Sequence, residues 1–287
     1  MEDVEIRLGE MVFDARADGP SDGELVLLLH GFPQTSWAWR HVMPPLAAAG
    51  YRAVAPDQRG YSPRARPEGV EAYGTLELVG DVVGMADRLG ADRFHLVGHD
   101  WGAAVAWQVA GRHPERLHTL TVLSVPHPIA FSAALASPDT DQAGRSSYVE
   151  AFRTEGSEEL FVADGAAGLR NFYLATGLTD EDADVYAAAL ADVEAMRAAL
   201  NWYRGIGPEI LDGFGPVTTP TLFVWGADDP AIGRESAEAT ADHVEGPYRF
   251  EPLEGVGHWI PELAPDVLEG LLLAHLADLA PREPPVA

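Results

Sequence analysis

The sequence predicts an α/β fold: a mostly parallel sheet flanked by helices and interrupted by an inserted helical lid. Three observations carry that expectation. Short apolar runs alternate with helical patterns through the first 127 residues, the alternation stops between about 127 and 215, and strand character resumes at Thr221. Strands joined through helices run parallel, and a parallel sheet is covered on both faces.

The elements follow in chain order. Glu24–Leu29 and Arg52–Pro56 read as strands. Thr75–Leu89 reads as a helix, because Leu76, Val79, Val82, Val83, Ala86 and Leu89 recur at helical spacing. Thr75 is placed to cap it and Gly90 to end it. Phe94–Val97 is the next strand, Gly102–His113 a helix stopped by Pro114, and Leu117–Val125 a further strand. No strand pattern follows until the last two, Thr221–Trp225 and Tyr248–Leu253. Within the gap, Thr179-Asp180-Glu181-Asp182 is a helix-start signature, and a helical pattern runs on to Tyr203. Pro208, Gly213, Gly215 and Pro216 then break the chain. The expected division is therefore a core of residues 1–127 and 216–287 around a helical cap of residues 128–215. Glu158–Glu159 and the Asp180–Asp184 stretch read as solvated helix starts, and Pro281–Ala287 as a frayed end.

Composition removes whole classes of chemistry. All 19 basic residues of the 287 are Arg, and Cys is absent. Without Lys there is no Schiff-base or P-loop lysine; without Cys there is no thiolate nucleophile, disulfide or Cys-based metal site. The net charge of −26 repels a phosphate backbone, so no nucleic-acid partner is expected. The N-terminus lacks a basic and apolar leader, and the longest aliphatic run, Leu25–Leu29, is too short for a membrane span, so a soluble cytoplasmic protein is expected. No metal or cofactor is expected either.

The strongest local signal is Gly98-His99-Asp100-Trp101-Gly102, between a strand and a helix. Gly-x-Asp-x-Gly there has the form of a nucleophile elbow, with Asp100 where Ser usually stands. The bland alternative is a tight turn with Asp100 as a helix N-cap. His30-Gly31-Phe32-Pro33, directly after a strand, can supply one oxyanion-hole N–H from Phe32, and Trp101 the other. Downstream, Asp229 follows a strand in Trp225-Gly226-Ala227-Asp228-Asp229-Pro230, and His258 sits in the glycine-flanked Gly257-His258-Trp259. The order Asp100, Asp229, His258 is nucleophile, acid, base. Asp228 competes with Asp229 as the orienting acid; Asp229, three residues after Gly226, is preferred.

These windows, together with Asp57-Gln58-Arg59-Gly60-Tyr61-Ser62, resemble the α/β-hydrolase fold and, within it, the Asp-nucleophile branch of epoxide hydrolases and dehalogenases. The resemblance covers about Val26 to Leu276. It implies attack of a carboxylate on an alkyl carbon, then hydrolysis of the resulting ester by water that His258 activates. It also implies two lid tyrosines that protonate the opening epoxide. Ser147-Tyr148-Val149-Glu150-Ala151-Phe152 and Leu200-Asn201-Trp202-Tyr203-Arg204 are similar to the family's lid motifs, so Tyr148 and Tyr203 are the expected pair, with Tyr173 and Tyr186 in reserve. Phe32 and Trp101 would also touch the substrate, expected to be a small hydrophobic epoxide reacting with water. A dehalogenase is the alternative. Haloalkane dehalogenases often carry Asn where Phe32 stands, and fluoroacetate-type enzymes carry Arg where Trp101 stands, so both departures favour an epoxide. A hydrolase-fold protein that only binds its ligand is a third possibility, disfavoured because every reactive group is present.

Overall fold

The computed structural model describes residues 1–205 and 207–277, so the expected frayed end at Pro281–Ala287 lies outside the described residues. Eight strands form one sheet in the order β1-β2-β4-β3-β5-β6-β7-β8. They are β1 (Glu2–Leu8), β2 (Met11–Asp18), β3 (Leu25–Leu29), β4 (Arg52–Pro56), β5 (Phe94–His99), β6 (Leu117–Leu123), β7 (Thr221–Gly226) and β8 (Tyr248–Leu253). β1 pairs antiparallel with β2, and β2 antiparallel with β4; every later neighbour is parallel. The six strands expected from the sequence are all present, within two residues at each end. β1 and β2 are additional. They form a hairpin at the sheet edge whose outer strand is largely exposed and carries Glu2, Asp3, Glu5 and Arg7, so no apolar run marks it. β3 and β5 are buried along their whole length, as central parallel strands must be.

The helices of the first half are α1 (Met43–Ala48), α2 (Thr75–Arg88) and α3 (Trp101–Arg112). Thr75 does not cap α2: the N-cap is Gly74, and Thr75 is the first helical residue. Gly90 does lie just past the C-cap Leu89, with φ of 77°. Between β6 and β7 stand α4 (Pro128–Ala136), α5 (Gln142–Arg145), α6 (Tyr148–Arg153), α7 (Ser157–Ala175), α8 (Asp180–Ala189) and α9 (Val193–Gly205), with no strand among the described residues of that segment. The last three helices are α10 (Arg234–Ala239), α11 (Ile260–Leu263) and α12 (Pro265–Ala277). None of the described helices is long and apolar enough to cross a membrane.

Two details of the inserted segment differ from the sequence expectation. The helical pattern from Thr179 to Tyr203 is two helices, α8 and α9. Thr179 is the N-cap of α8 as expected, its Oγ1 accepting from the Asp182 N–H at 3.2 Å. α7 is broken in the middle: Asp164, Gly165 and Ala166 have φ of 50°, 68° and 63°, so the two arms are independent helical pieces.

The acidic stretches are not simply solvated. Glu158 is buried and receives Arg197 Nε at 2.7 Å and Arg204 Nη2 at 2.8 Å. Asp182 is buried too. It receives Arg40 Nη2 at 2.6 Å and the Trp37 indole N–H at 3.0 Å, both from the core. A carboxylate at a helix start is stabilised by the free N–H groups, but these two are also matched by cations, which allows burial. Further polar contacts pin the inserted helices to the core: Tyr173 Oη donates to the Pro33 carbonyl at 2.5 Å and Trp202 Nε1 to the Arg59 carbonyl at 2.8 Å.

Candidate active site

The C-terminal ends of β3, β5, β7 and β8 point to one side of the sheet, and each is followed by a loop carrying a predicted residue. In parallel sheets that edge is where ligands bind, at the point where chain order reverses. Here the reversal lies between β3 and β5, neighbours with β4 outside one and β6 outside the other.

Asp100 directly follows β5 and precedes the first residue of α3. Its φ of 51° and ψ of −118° lie where a residue with a Cβ is rarely found. The flanking glycines permit the turn: a Cβ on Gly98 would run into the backbone of Gly102, and one on Gly102 into the backbone of Leu29. Asp100 occupies the N-cap position, yet its side chain makes no capping hydrogen bond. The carboxylate is turned outward instead, with Oδ1 accepting from the Phe32 N–H at 2.8 Å and Oδ2 3.4 Å from His258 Nε2. The Phe32 amide is thus on the carboxylate, and Trp101 follows Asp100 directly as the first residue of α3.

His258 is held from its other side. Nδ1 lies 2.7 Å from Asp229 Oδ2, while Asp229 Oδ1 accepts the N–H groups of Ala231 and Ile232 at 2.8 and 3.2 Å. Asp229, rather than Asp228, is therefore the acid on the imidazole. Burial disfavours a charged His258, but the charge and hydrogen bonds of Asp229 and Asp100 outweigh it and raise its pKa to about 10. Burial likewise works against an ionised Asp100. The hydrogen bond and charge of His258 and the Phe32 N–H overcome that and hold Asp100 below the usual carboxylate value.

Above this floor is a cavity of about 620 Å³, walled mainly by aromatic and aliphatic side chains. Asp100 and His258 face it from the core; Tyr148, Phe152, Leu169, Phe172 and Tyr203 face it from α6, α7 and α9. Tyr203 is buried, its ring edge-on to Trp101 at 4.9 Å and to Phe32 at 5.3 Å. Burial, followed by the charge of Asp100, raises the pKa of both Tyr148 and Tyr203, so both phenols stay protonated. The two reserve tyrosines are engaged elsewhere: Tyr173 donates to the Pro33 carbonyl and Tyr186 to Glu262 Oε1. The sequence reading missed the rest of the wall, among it Arg145, whose Nη1 donates to the Asp229 carbonyl at 2.8 Å. It also missed a buried polar cluster of Gln34, His99 and Glu262 behind the base. Their contacts span up to 228 positions of sequence, so no local pattern announces them.

Comparison with known proteins places this arrangement. A family model described as the alpha/beta hydrolase fold matches residues 24–265. Among curated relatives, the AB hydrolase superfamily protein YfhM of Bacillus subtilis is 33% identical, over 91% of this chain and 92% of its own. Epoxide hydrolase A of Mycobacterium tuberculosis is 32% identical with the same two coverages. Among solved structures, a point mutant of an epoxide hydrolase from Bacillus megaterium in complex with its diol product superposes with a TM-score of 0.86 at 27% identity, covering 96% of this chain and 100% of that one. The chain belongs to the α/β-hydrolase fold family and, within it, to the epoxide hydrolases.

Proposed function

We propose that this protein hydrolyses a hydrophobic epoxide to a vicinal diol through an alkyl ester on Asp100, beneath a cap of residues 128–215. The observation that carries the reading is the pairing of Asp100 Oδ2 with His258 Nε2 on the floor of a cavity whose wall presents Tyr148 and Tyr203. Asp100 Oδ2 attacks a ring carbon, the carbon–oxygen bond breaks, and a tyrosine proton passes to the ring oxygen. Esterification removes the carboxylate charge beside His258, an imidazolium at rest; its hold on that proton weakens, the proton passes to the tyrosinate, and the neutral imidazole left behind is a base. Water, deprotonated by His258, then attacks the Asp100 carbonyl carbon. The charge that develops on Oδ1 meets the Phe32 N–H already aimed at it, joined by that of Trp101. Collapse releases the diol and leaves one water oxygen in Asp100. His258 keeps the proton taken from water and is again the resting imidazolium, the second water proton leaves on the diol, and the balance is one epoxide and one water to one diol.

A single turnover in heavy-oxygen water tests this. Peptide mass analysis should find the label in the Asp100 carboxylate and none in the first diol; label in that diol would rule out the ester.

A further inference from the structure

The cluster behind the base contains a conflict that fixes where its protons sit. His99 is fully buried, with Nε2 2.9 Å from the His258 carbonyl, an acceptor only, so Nε2 carries a hydrogen. Its Nδ1 is 2.7 Å from the side-chain amide of Gln34. The other end of that amide is 2.6 Å from Glu262 Oε1, which also receives the Tyr186 hydroxyl at 2.5 Å. If the Gln34 nitrogen faces Glu262, its oxygen faces His99 Nδ1, and the contact is attractive only if His99 is a buried cation. That cation would stand with ring centroids 5.0 Å from His258, itself an imidazolium in the resting protein. If the amide is turned over, its NH₂ donates to His99 Nδ1, and its oxygen needs a donor at the Glu262 position. A carboxylic acid supplies one. The turned amide gives up one weak contact, from the Gly31 N–H at 3.3 Å, the longest in the cluster.

We propose that Glu262 is a positioning residue held as a neutral carboxylic acid: it donates to the Gln34 oxygen, Gln34 donates to His99 Nδ1, and His99 donates through Nε2 to the carbonyl of the base, His258. A second observation points the same way. Glu262 Oε2 is buried with no partner, a heavy cost for a carboxylate and a smaller one for an acid. The chain begins in the inserted segment, where Tyr186 of α8 donates to Glu262, and ends at the base loop, where Ser124 Oγ donates to the same His258 carbonyl at 2.9 Å. The charged and titratable groups facing Glu262 are Arg40 and Asp182, opposite in sign and paired with each other, Tyr186 and Tyr173 from the cap side, and His99 beyond Gln34. Burial raises the Glu262 pKa to about 7, against the hydrogen bonds of Tyr186 and Gln34 and the charge of Arg40.

Two measurements test the assignment without turnover, so they stand apart from the reading of the reaction, although the role itself rests on His258 being the base. In ¹⁵N-histidine-labelled protein at pH 6, His99 should show the neutral Nε2–H tautomer; an imidazolium or an Nδ1–H pattern would overturn the proposal. Because the folded pKa of Glu262 lies above its ordinary value of 4.5, the stability it contributes is complete below 4.5 and is lost as pH rises through about 7. A Glu262→Gln side chain cannot ionise, and with its nitrogen at the Oε1 position it still donates to Gln34, although that nitrogen cannot accept the Tyr186 hydroxyl as the acid oxygen does. Its Tm relative to the wild type should therefore rise by about 5 °C between pH 5 and pH 8. A difference that stays constant or moves against the variant over that range would show that ionisation of Glu262 costs the fold nothing and sink the proposal.

Discussion

The floor and the wall of the cavity are built on opposite principles. On the floor, Asp100, His258 and Asp229 are fixed at strand ends, and the charges and hydrogen bonds of each are matched by the others and by backbone N–H groups. Side chains so constrained reach a reacting atom in one geometry, which is what preorganised catalysis needs. The wall is apolar, built from helices that dock on the core through a few buried polar anchors, and Leu160 and Phe172 at its rim stay largely exposed. The floor therefore sets the reaction and the wall sets what reacts, so damage to each should register in different measurements.

The largest effect should come from the floor. Asp100→Asn leaves the amide where the nucleophile stood, and turnover should fall by about 10⁴-fold or more, with His258 titrating well below 10 by NMR because one of its two anionic partners is gone. An Asp100→Asn protein that retained substantial turnover would show that another group attacks. His258→Gln should split the cycle: the ester forms and persists, and intact-mass analysis after mixing with an epoxide should find one substrate mass added. Absence of the adduct would mean that His258 also acts in the first step.

Smaller effects should come from the wall. Tyr203→Phe should slow ester formation by about 10²-fold, since one of two phenol donors is lost, while hydrolysis of a preformed ester changes little. An unchanged rate would leave Tyr148 as sole donor. Asp182→Ala, far from the reacting atoms, removes a buried partner of Arg40 and Trp37. It should cost about 3 kcal/mol in chemical denaturation. A loss near zero would mean that the wall does not depend on this anchor.

The same division explains what the sequence disclosed. Floor residues announce themselves because local rules place them: Gly98 and Gly102 are required by the turn they flank, and Asp229 and His258 follow strands that apolar runs mark. The edge hairpin escaped because one of its strands faces water and carries charges that mask the alternation. Tyr148 and Tyr203 were legible only through likeness to lid motifs, since an aromatic residue on a helix has no local signature of function. The fate of Tyr186 and Tyr173 was hidden altogether: their hydroxyls are claimed by Glu262 and Pro33, partners 76 and 140 positions away. Glu158 and Asp182 misled for the same reason, because the arginines that permit their burial lie on other elements.

The break in α7 adds something to this picture. An unbroken helix transmits any insertion or deletion as a rotation of every later side chain by 100° per residue. Three consecutive left-handed residues between Phe161 and Leu169 uncouple the two arms, so each presents its own cavity-facing side chains in its own phase. The wall can thus be remodelled one arm at a time: lengthening the first arm would reshape one end of the cavity and leave Leu169 and Phe172 in register at the other.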